Sequence, residues 1–327
     1  MCGASSNGKQ APRLGVEIVM KIRKAALIGA GAIGAYLIWS FDGVSDVDFI
    51  VAAEGTRKER LERDGIVING ERYPLQVQEP DQAGPQDLIV IATKYAGLDE
   101  AISMLPPLMG PNTLILSLLN GVDSEERVAQ KVGEGHVIHS IIRIASQRTQ
   151  EGVWFDPDRV IGLSFGLAGD RPEEAWKLEA LSALFAKTRL RWSRSEDILT
   201  DIWIKFASNI ANNLPQAVIG VSATLYAKSE HGRFLAQKLW TEVAAVAAAR
   251  GIHLAEEVLI FPGQSASAKY STLQDLEAGR HTEIDMFAGQ VLRMAAEAGI
   301  AVPYCEYTYH AIKALEEKND GLFGELK

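Results

Sequence analysis

The chain has 327 residues, 47% of them apolar and 23% charged, the composition of a globular protein long enough for two domains. Its net charge of −9 argues against a nucleic-acid binder, whose footprint would be basic, but leaves room for a local cationic pocket facing a small anion. Cys2 and Cys305 are its cysteines and form no CxxC or Cys/His spacing, which argues against a disulfide framework and a metal site and fits a reducing, cytoplasmic compartment.

Residues 1–19 hold Gly, Ser, Asn and Pro around one short apolar patch, Leu14 to Met20, and read as a loosely held extension without the apolar region of a signal peptide. No apolar run reaches the ~18 residues of a membrane span. From Lys24 to Ile28 a short apolar run predicts a strand, and Gly29-Ala30-Gly31-Ala32-Ile33-Gly34 follows at once, opening a helix over Ala35 to Ser40. Strand, Gly-rich turn and helix in this order are the pattern of a dinucleotide-binding unit, with Gly29 for the tight turn, Gly31 for approach to a pyrophosphate and Gly34 for packing of helix on strand; the alternative is a Gly-rich turn that holds no ligand. The helix N-terminus then offers N–H groups and partial positive charge to the phosphates.

Val47 to Ala52 reads as a second strand and Gly55 to Arg63 as a charged helix. Asn69-Gly70, between two short β-prone runs, is a hairpin signal. Asp87 to Thr93 and Thr113 to Leu118 are continuous apolar runs, as buried parallel strands are. They end in Lys94-Tyr95 and Asn120-Gly121, and ligands of open α/β sheets bind at such carboxyl ends. His136 to Arg143 is a further strand, Gly152 to Leu167 is expected to be antiparallel strands carrying Trp154 and Phe155, and Arg171 to Lys187 a helix. Thr188 to Ser193 closes a domain of residues 20–193.

Residues 194–327 read as helical only, with helices over Trp203–Asn213, Gly232–Arg250, Leu254–Phe261, Ser271–Gly279, Glu283–Ala298 and Tyr304–Glu317. In the first of these, Lys205, Asn209 and Asn213 are four apart and stack on one helix face. One cation and two carboxamides in a row can grip a carbonyl and its neighbouring oxygens. The same spacing also occurs on any amphipathic helix that faces water.

Five motifs taken together decide between these readings: GAGAIG at the start, TKY at 93–95, LLNG at 118–121, W-x-K-x-x-x-N-x-x-x-N from Trp203, and S-x-x-x-D-x-x-x-x-R-H-T-E-I-D from Ser271. From about residue 22 to about residue 315 the chain resembles the ketopantoate reductase family. The string His281-Thr282-Glu283-Ile284-Asp285 carries the resemblance most specifically. The resemblance implies an α/β Rossmann-type domain followed by an all-α domain. It implies catalytic roles for Lys205 and Glu283, substrate contacts for Asn209, Asn213 and Ser271, Asn120 at the nicotinamide edge and beside the substrate, and Lys94 near the cofactor. One departure is that Asn213 is followed by Leu214-Pro215, where the family usually reads Pro-Leu.

The chemistry agrees with these roles. Reduction of a 2-oxo acid needs a hydride, a proton and an anchor for the carboxylate; Lys205 can protonate the developing alkoxide while Glu283 keeps it charged and aimed. The implied activity is reduction of 2-dehydropantoate to pantoate, for pantothenate synthesis. A paralogue acting on another branched 2-oxo acid and a non-catalytic dinucleotide-binding regulator are the alternatives.

The cofactor is open between two outcomes. Glu54 lies twenty residues after Gly34, where an NAD-type acid would meet a ribose 2′-hydroxyl. Arg57 and Lys58 follow within one helical turn and suit a 2′-phosphate. Family habit favours NADPH, with NADH possible. A homodimer is expected without any motif to carry it.

Overall fold

The structure, a computed structural model, describes residues 20–223, 228–256 and 268–324. The expected extension lies outside these residues. The strands are Lys24–Ile28 (β1), Asp48–Ala52 (β2), Ile66–Ile68 (β3), Glu71–Tyr73 (β4), Val77–Gln78 (β5), Leu88–Ile91 (β6), Leu114–Ser117 (β7), Val137–Arg143 (β8), Ser146–Arg148 (β9), Val153–Phe155 (β10), Gly162–Gly166 (β11) and Trp192–Arg194 (β12). An eight-stranded sheet has the order β5-β2-β1-β6-β7-β8-β11-β12. It is parallel from β5 to β8, and β11 runs antiparallel to β8. The strand order reverses at β1, between β2 and β6, which opens the ligand crevice at the carboxyl ends of those three strands.

Alternation along the strands builds two cores. Ala25 and Leu27 of β1 face the helix Ala32–Phe41 (α1) and pack with its Tyr36 and Leu37. Ala26 and Ile28 face the other way, toward Leu98 and Ala101 of the helix Leu98–Ser103 (α3). The charged helix Gly55–Asp64 (α2) lies between β2 and β3 in the chain and buries only Leu61, so its polar surface is left to solvent. The longer helices that follow in this part are Ser124–Val132 (α4) and Ala175–Phe185 (α5).

Asn69-Gly70 forms the expected turn, with Asn69 and Gly70 at φ +50° and +85° and β3 antiparallel to β4. The segment 152–167 differs from expectation. β10 and β11 do not pair with each other: β10 joins β3 and β9 in a separate four-stranded sheet, while β11 joins β8 and β12. The reason is packing at Phe155, whose ring lies edge-on to Tyr36 at 5.3 Å and to Trp39 at 5.6 Å, drawing β10 onto α1.

After β12 the chain is helical: Ile198–Ile219 (α6), Glu230–Ala249 (α7), Ser271–Glu277 (α8), Ala288–Ala298 (α9) and Pro303–Asn319 (α10). α6 is the centre of this part. Trp203, Phe206, Ile210 and Leu214 recur at helical spacing and pack with Trp240 and Val243 of α7 and with Phe287 and Val291. Asp197 caps α6 by accepting from Thr200 N–H, and Gly220, left-handed at φ +76°, ends it. The helix runs on through Pro215, well past the expected Asn213.

Two other expectations fail locally. Leu254–Glu256 are not helical, and the rest of that expected helix lies outside the described residues. Glu283–Phe287 is a turn, and α9 begins only at Ala288. Thr282 explains the turn: its N–H and hydroxyl both donate to Glu316 Oε1 at 2.7 Å, and its Oγ1 accepts from Ile284 N–H at 3.2 Å. Among the described residues no helix is long and apolar enough to cross a membrane.

Candidate active site

The cofactor end is set by the Gly-rich turn. Gly29 is at φ +105°, and a Cβ there would lie 2.7 Å from the carbonyl of Ala92. A Cβ on Gly34 would lie 2.0 Å from the carbonyl oxygen of Gly29, so the contact of α1 with the turn tolerates only glycine. Gly31 stands at the N-cap of α1, with no side-chain cap and no acid in the first turn, which leaves the end of the helix to an anion. Ala30, Ala32 and Ile33 complete this turn and the first residues of α1.

Beyond the turn a groove follows the ends of β1, β2 and β6, lined by Gly29, Glu54, Arg57, Thr93, Glu100 and Met104 among others. Among the described residues Thr93 Oγ1, buried there, has no hydrogen-bond partner. An orphaned hydroxyl, a Gly-rich turn and an uncapped helix end fit the adenosine and pyrophosphate of a dinucleotide. Glu54 is the residue before α2 and is exposed, as is Arg57. Lys58 is engaged elsewhere, by Glu62 at 2.8 Å, so Arg57 is the cation that lines the groove. Glu100 is a second acid there, which the sequence reading missed because it lies on α3, far from β2 in the chain.

The other end of the candidate site lies where the two parts of the chain meet. On α6, Lys205 and Asn209 are partly buried and Asn213 is buried. Among the described residues, Lys205 has no hydrogen-bond or ion-pair partner. Burial is the main influence on its ammonium, the Arg143 guanidinium adds to it, and Glu125 and Glu283 act in opposition; together they bring it down from 10.5 to about 8. An amine in this range holds its proton at neutral pH and yields it readily.

Gln216 extends the ladder: at roughly 100° per residue it falls between Lys205 and Asn209 in projection. It is fully buried, and its Oε1 accepts from Tyr270 N–H at 2.8 Å. That bond seats Ser271, the first residue of α8, beside the far end of the ladder. Ser271 itself is exposed.

Glu283 sits in the turn before α9, partly buried, and its Oε1 accepts from Tyr95 N–H at 3.2 Å. It reaches Lys205 through space, and among the described residues no ion pair joins the two. The same turn presses on the end of β7: a Cβ on Gly121, next to Asn120, would lie 3.1 Å from Met286 Sδ. The Glu283 turn thus touches both strand-end turns that the sequence singled out. Lys94, at the end of β6, is mostly exposed and lies 3.6 Å from Asp275 of α8, so its charge faces the helical part. Tyr95 completes the junction by donating to Asp123 at 2.5 Å.

Comparison with known proteins identifies the family. A family model described as ketopantoate reductase PanE/ApbA matches residues 25–155, and one described as ketopantoate reductase PanE/ApbA C terminal matches residues 197–316. The 2-dehydropantoate 2-reductase of Mesorhizobium japonicum is 26% identical over 296 residues, covering 82% of this chain and 90% of that protein. The 2-dehydropantoate 2-reductase of Caulobacter vibrioides is 28% identical over 288 residues, covering 85% and 94%. In fold the chain is similar to a D-mandelate dehydrogenase solved with NADH and anilino(oxo)acetate, with a TM-score of 0.77 at 22% identity over 91% of this chain and 99% of that one. The two family models span both the sheet and the helices, and the chain belongs to the ketopantoate reductase family as an NAD(P)-dependent oxidoreductase.

Proposed function

We propose that this protein reduces 2-dehydropantoate to pantoate with NADPH in the cytoplasm, for pantothenate synthesis, with Lys205 donating the proton. The observation that carries the reading is the partly buried ammonium of Lys205, unpaired among the described residues and brought down to about 8 by its surroundings, at the head of a carboxamide ladder. When bound, the nicotinamide supplies the hydride. The chain supplies the rest. Lys205 hydrogen-bonds the ketone oxygen and passes its proton to the alkoxide as that charge develops. Asn209 and Asn213 hold the polar groups of the substrate without adding charge, and Ser271 donates to its carboxylate. Glu283 accepts from a substrate hydroxyl, and Asn120 borders the nicotinamide. In this reading residues 20–193 and 194–327 form the two domains, the substrate lies between them, Lys94 serves the cofactor side, and the protein is a homodimer.

Following NADPH oxidation with 2-dehydropantoate and with a panel of branched 2-oxo acids tests the reading. It fails if the folded protein turns over none of them, which would leave a dinucleotide-binding regulator. A second reading is favoured by the two acids of the adenosine groove, Glu54 and Glu100: NADH would then be the reductant, and another 2-oxo acid the substrate. Comparing kcat/KM for both cofactors in the wild type, in Arg57→Ala and in Glu54→Ala separates the two.

A further inference from the structure

One buried carboxyl has no part in the mechanism above. Glu125, in the first turn of α4, is only 6% exposed. Its Oε2 accepts from Ser124 Oγ at 2.7 Å, Ser124 Oγ accepts from Ser117 Oγ at 2.8 Å, and Ser140 Oγ donates to the Ser117 carbonyl at 2.7 Å. Strands β7 and β8 thus hold it through a chain of three buried serines. An apolar contact sets this chain against the catalytic helix: Ile141, next to Ser140, packs with Ile198 and Ile202 of α6 and with Val122 of the Asn120-Gly121 turn. Ile202 lies just under one helical turn before Lys205. A buried carboxyl with this much support and no cationic partner in contact is a poor stabilising element, since its charged form is disfavoured by desolvation.

We propose that Glu125 is a positioning residue for Lys205: from behind the Asn120-Gly121 turn, its negative charge holds the proton on the lysine in the substrate-free cleft. The inference rests on the reading of Lys205 as the proton donor. Among the described residues, these charged groups act on the pair. Lys205 is faced by Arg143 of β8, which drives its proton off, and by Glu125 and Glu283, which hold it on. Glu125 is faced by Asp123, and Arg143 by Asp201 of α6. Burial lifts Glu125 to about 7, against the pull of Ser124 and of backbone N–H groups including that of Ser140. Its charge therefore appears over the neutral range, just below the point where Lys205 would lose its proton. Below that range Glu125 is neutral and has no hold on the lysine.

The test is Glu125→Gln, which removes the charge and keeps the shape. The readout is the rate at which acetic anhydride acylates Lys205, followed by mass spectrometry from about pH 6 to about pH 10, in parallel with the pH profile of kcat/KM. The inflection of Lys205 labelling and the alkaline limb of kcat/KM should both move down by about half to one pH unit. At acid pH the variant and wild type should agree within about twofold, and Glu125→Asp should keep the wild-type limb. Unmoved curves in a folded Glu125→Gln protein overturn the proposal. If that variant does not fold, the wild-type labelling curve decides: a curve broader than a single-site titration supports coupling, and a single-site curve refutes it. If labelling shifts while no 2-oxo acid is reduced, Glu125 keeps this role toward Lys205 and the proposed reaction is what fails.

Discussion

Replacing Lys205 by Met should make the protein more stable and nearly inactive. Met keeps most of the aliphatic stem and deletes the ammonium. The fall from 10.5 to about 8 corresponds to about 3 kcal/mol by which the folded cleft disfavours the charged amine. This is an upper value for the gain, because Met must also fill the space. The sign follows from proton binding. Below about pH 8 both folded and unfolded chains carry the charge and the full cost is present. Between about 8 and about 10.5 the unfolded chain binds the extra proton, so wild-type stability rises with pH. Above that range the two proteins should converge. For a chain of this length unfolding as one unit, about 3 kcal/mol is at most about 5 °C in Tm. Scanning calorimetry of both proteins at neutral and at alkaline pH measures the gain, and steady-state assays measure the loss of at least about 10²-fold in kcat expected when a general acid is removed. A lower Tm in the variant would refute a lysine strained by its surroundings. Turnover within tenfold of wild type would remove Lys205 from the mechanism.

Other sites separate anchoring from proton transfer. Asn209→Ala and Ser271→Ala should raise KM for the 2-oxo acid with little change in kcat, the pattern of uniform binding; a fall in NADPH affinity with KM unchanged would move them to the cofactor half. Gln216→Ala breaks the bond to Tyr270 N–H and should cost about 1–3 kcal/mol of stability along with a rise in KM, measured by denaturant titration and kinetics, and an unchanged KM would mean that the start of α8 needs no anchor. Arg57→Ala should weaken NADPH binding by about tenfold or more and leave NADH binding nearly unchanged, as read by fluorescence titration, and equal losses for both would show that Arg57 does not meet a 2′-phosphate.

Much of the sheet could be read from the sequence because its strands are short apolar runs bounded by turn residues. β1, β6 and β7 carry no polar residue except Lys24 and Ser117, at their ends, so period and composition agree. The errors arise where a long-range contact overrules a local one. β10 and β11 are close in the chain and look like a hairpin, yet the contact of Phe155 with Tyr36 and Trp39 sends them to different sheets. Glu283–Phe287 has helical composition, yet Thr282 bound to Glu316 of α10, thirty-four positions on, holds it as a turn.

The same distinction divides the site. Lys205, Asn209 and Asn213 could be singled out as a ladder because four-residue spacing on a helix is a local property, and the Gly-rich turn because its steric needs are local too. Gln216 shares that helix face, but nothing in its spacing tells a buried glutamine bonded to a distant backbone N–H from a surface one. Glu125 was harder still. It stands next to Glu126 in the first turn of a helix, where acids are ordinary N-terminal residues, and α4 shows it as one more charge on an amphipathic element. Only the pairing of β7 with β8 reveals that three serines from separate segments form a chain that ends at its carboxyl. A sequence reading finds ladder residues such as Lys205, Asn209 and Asn213, since they sit on one helix at regular intervals. The groups that set the proton affinity of those residues act through space, from other elements, and leave no interval in the chain to find.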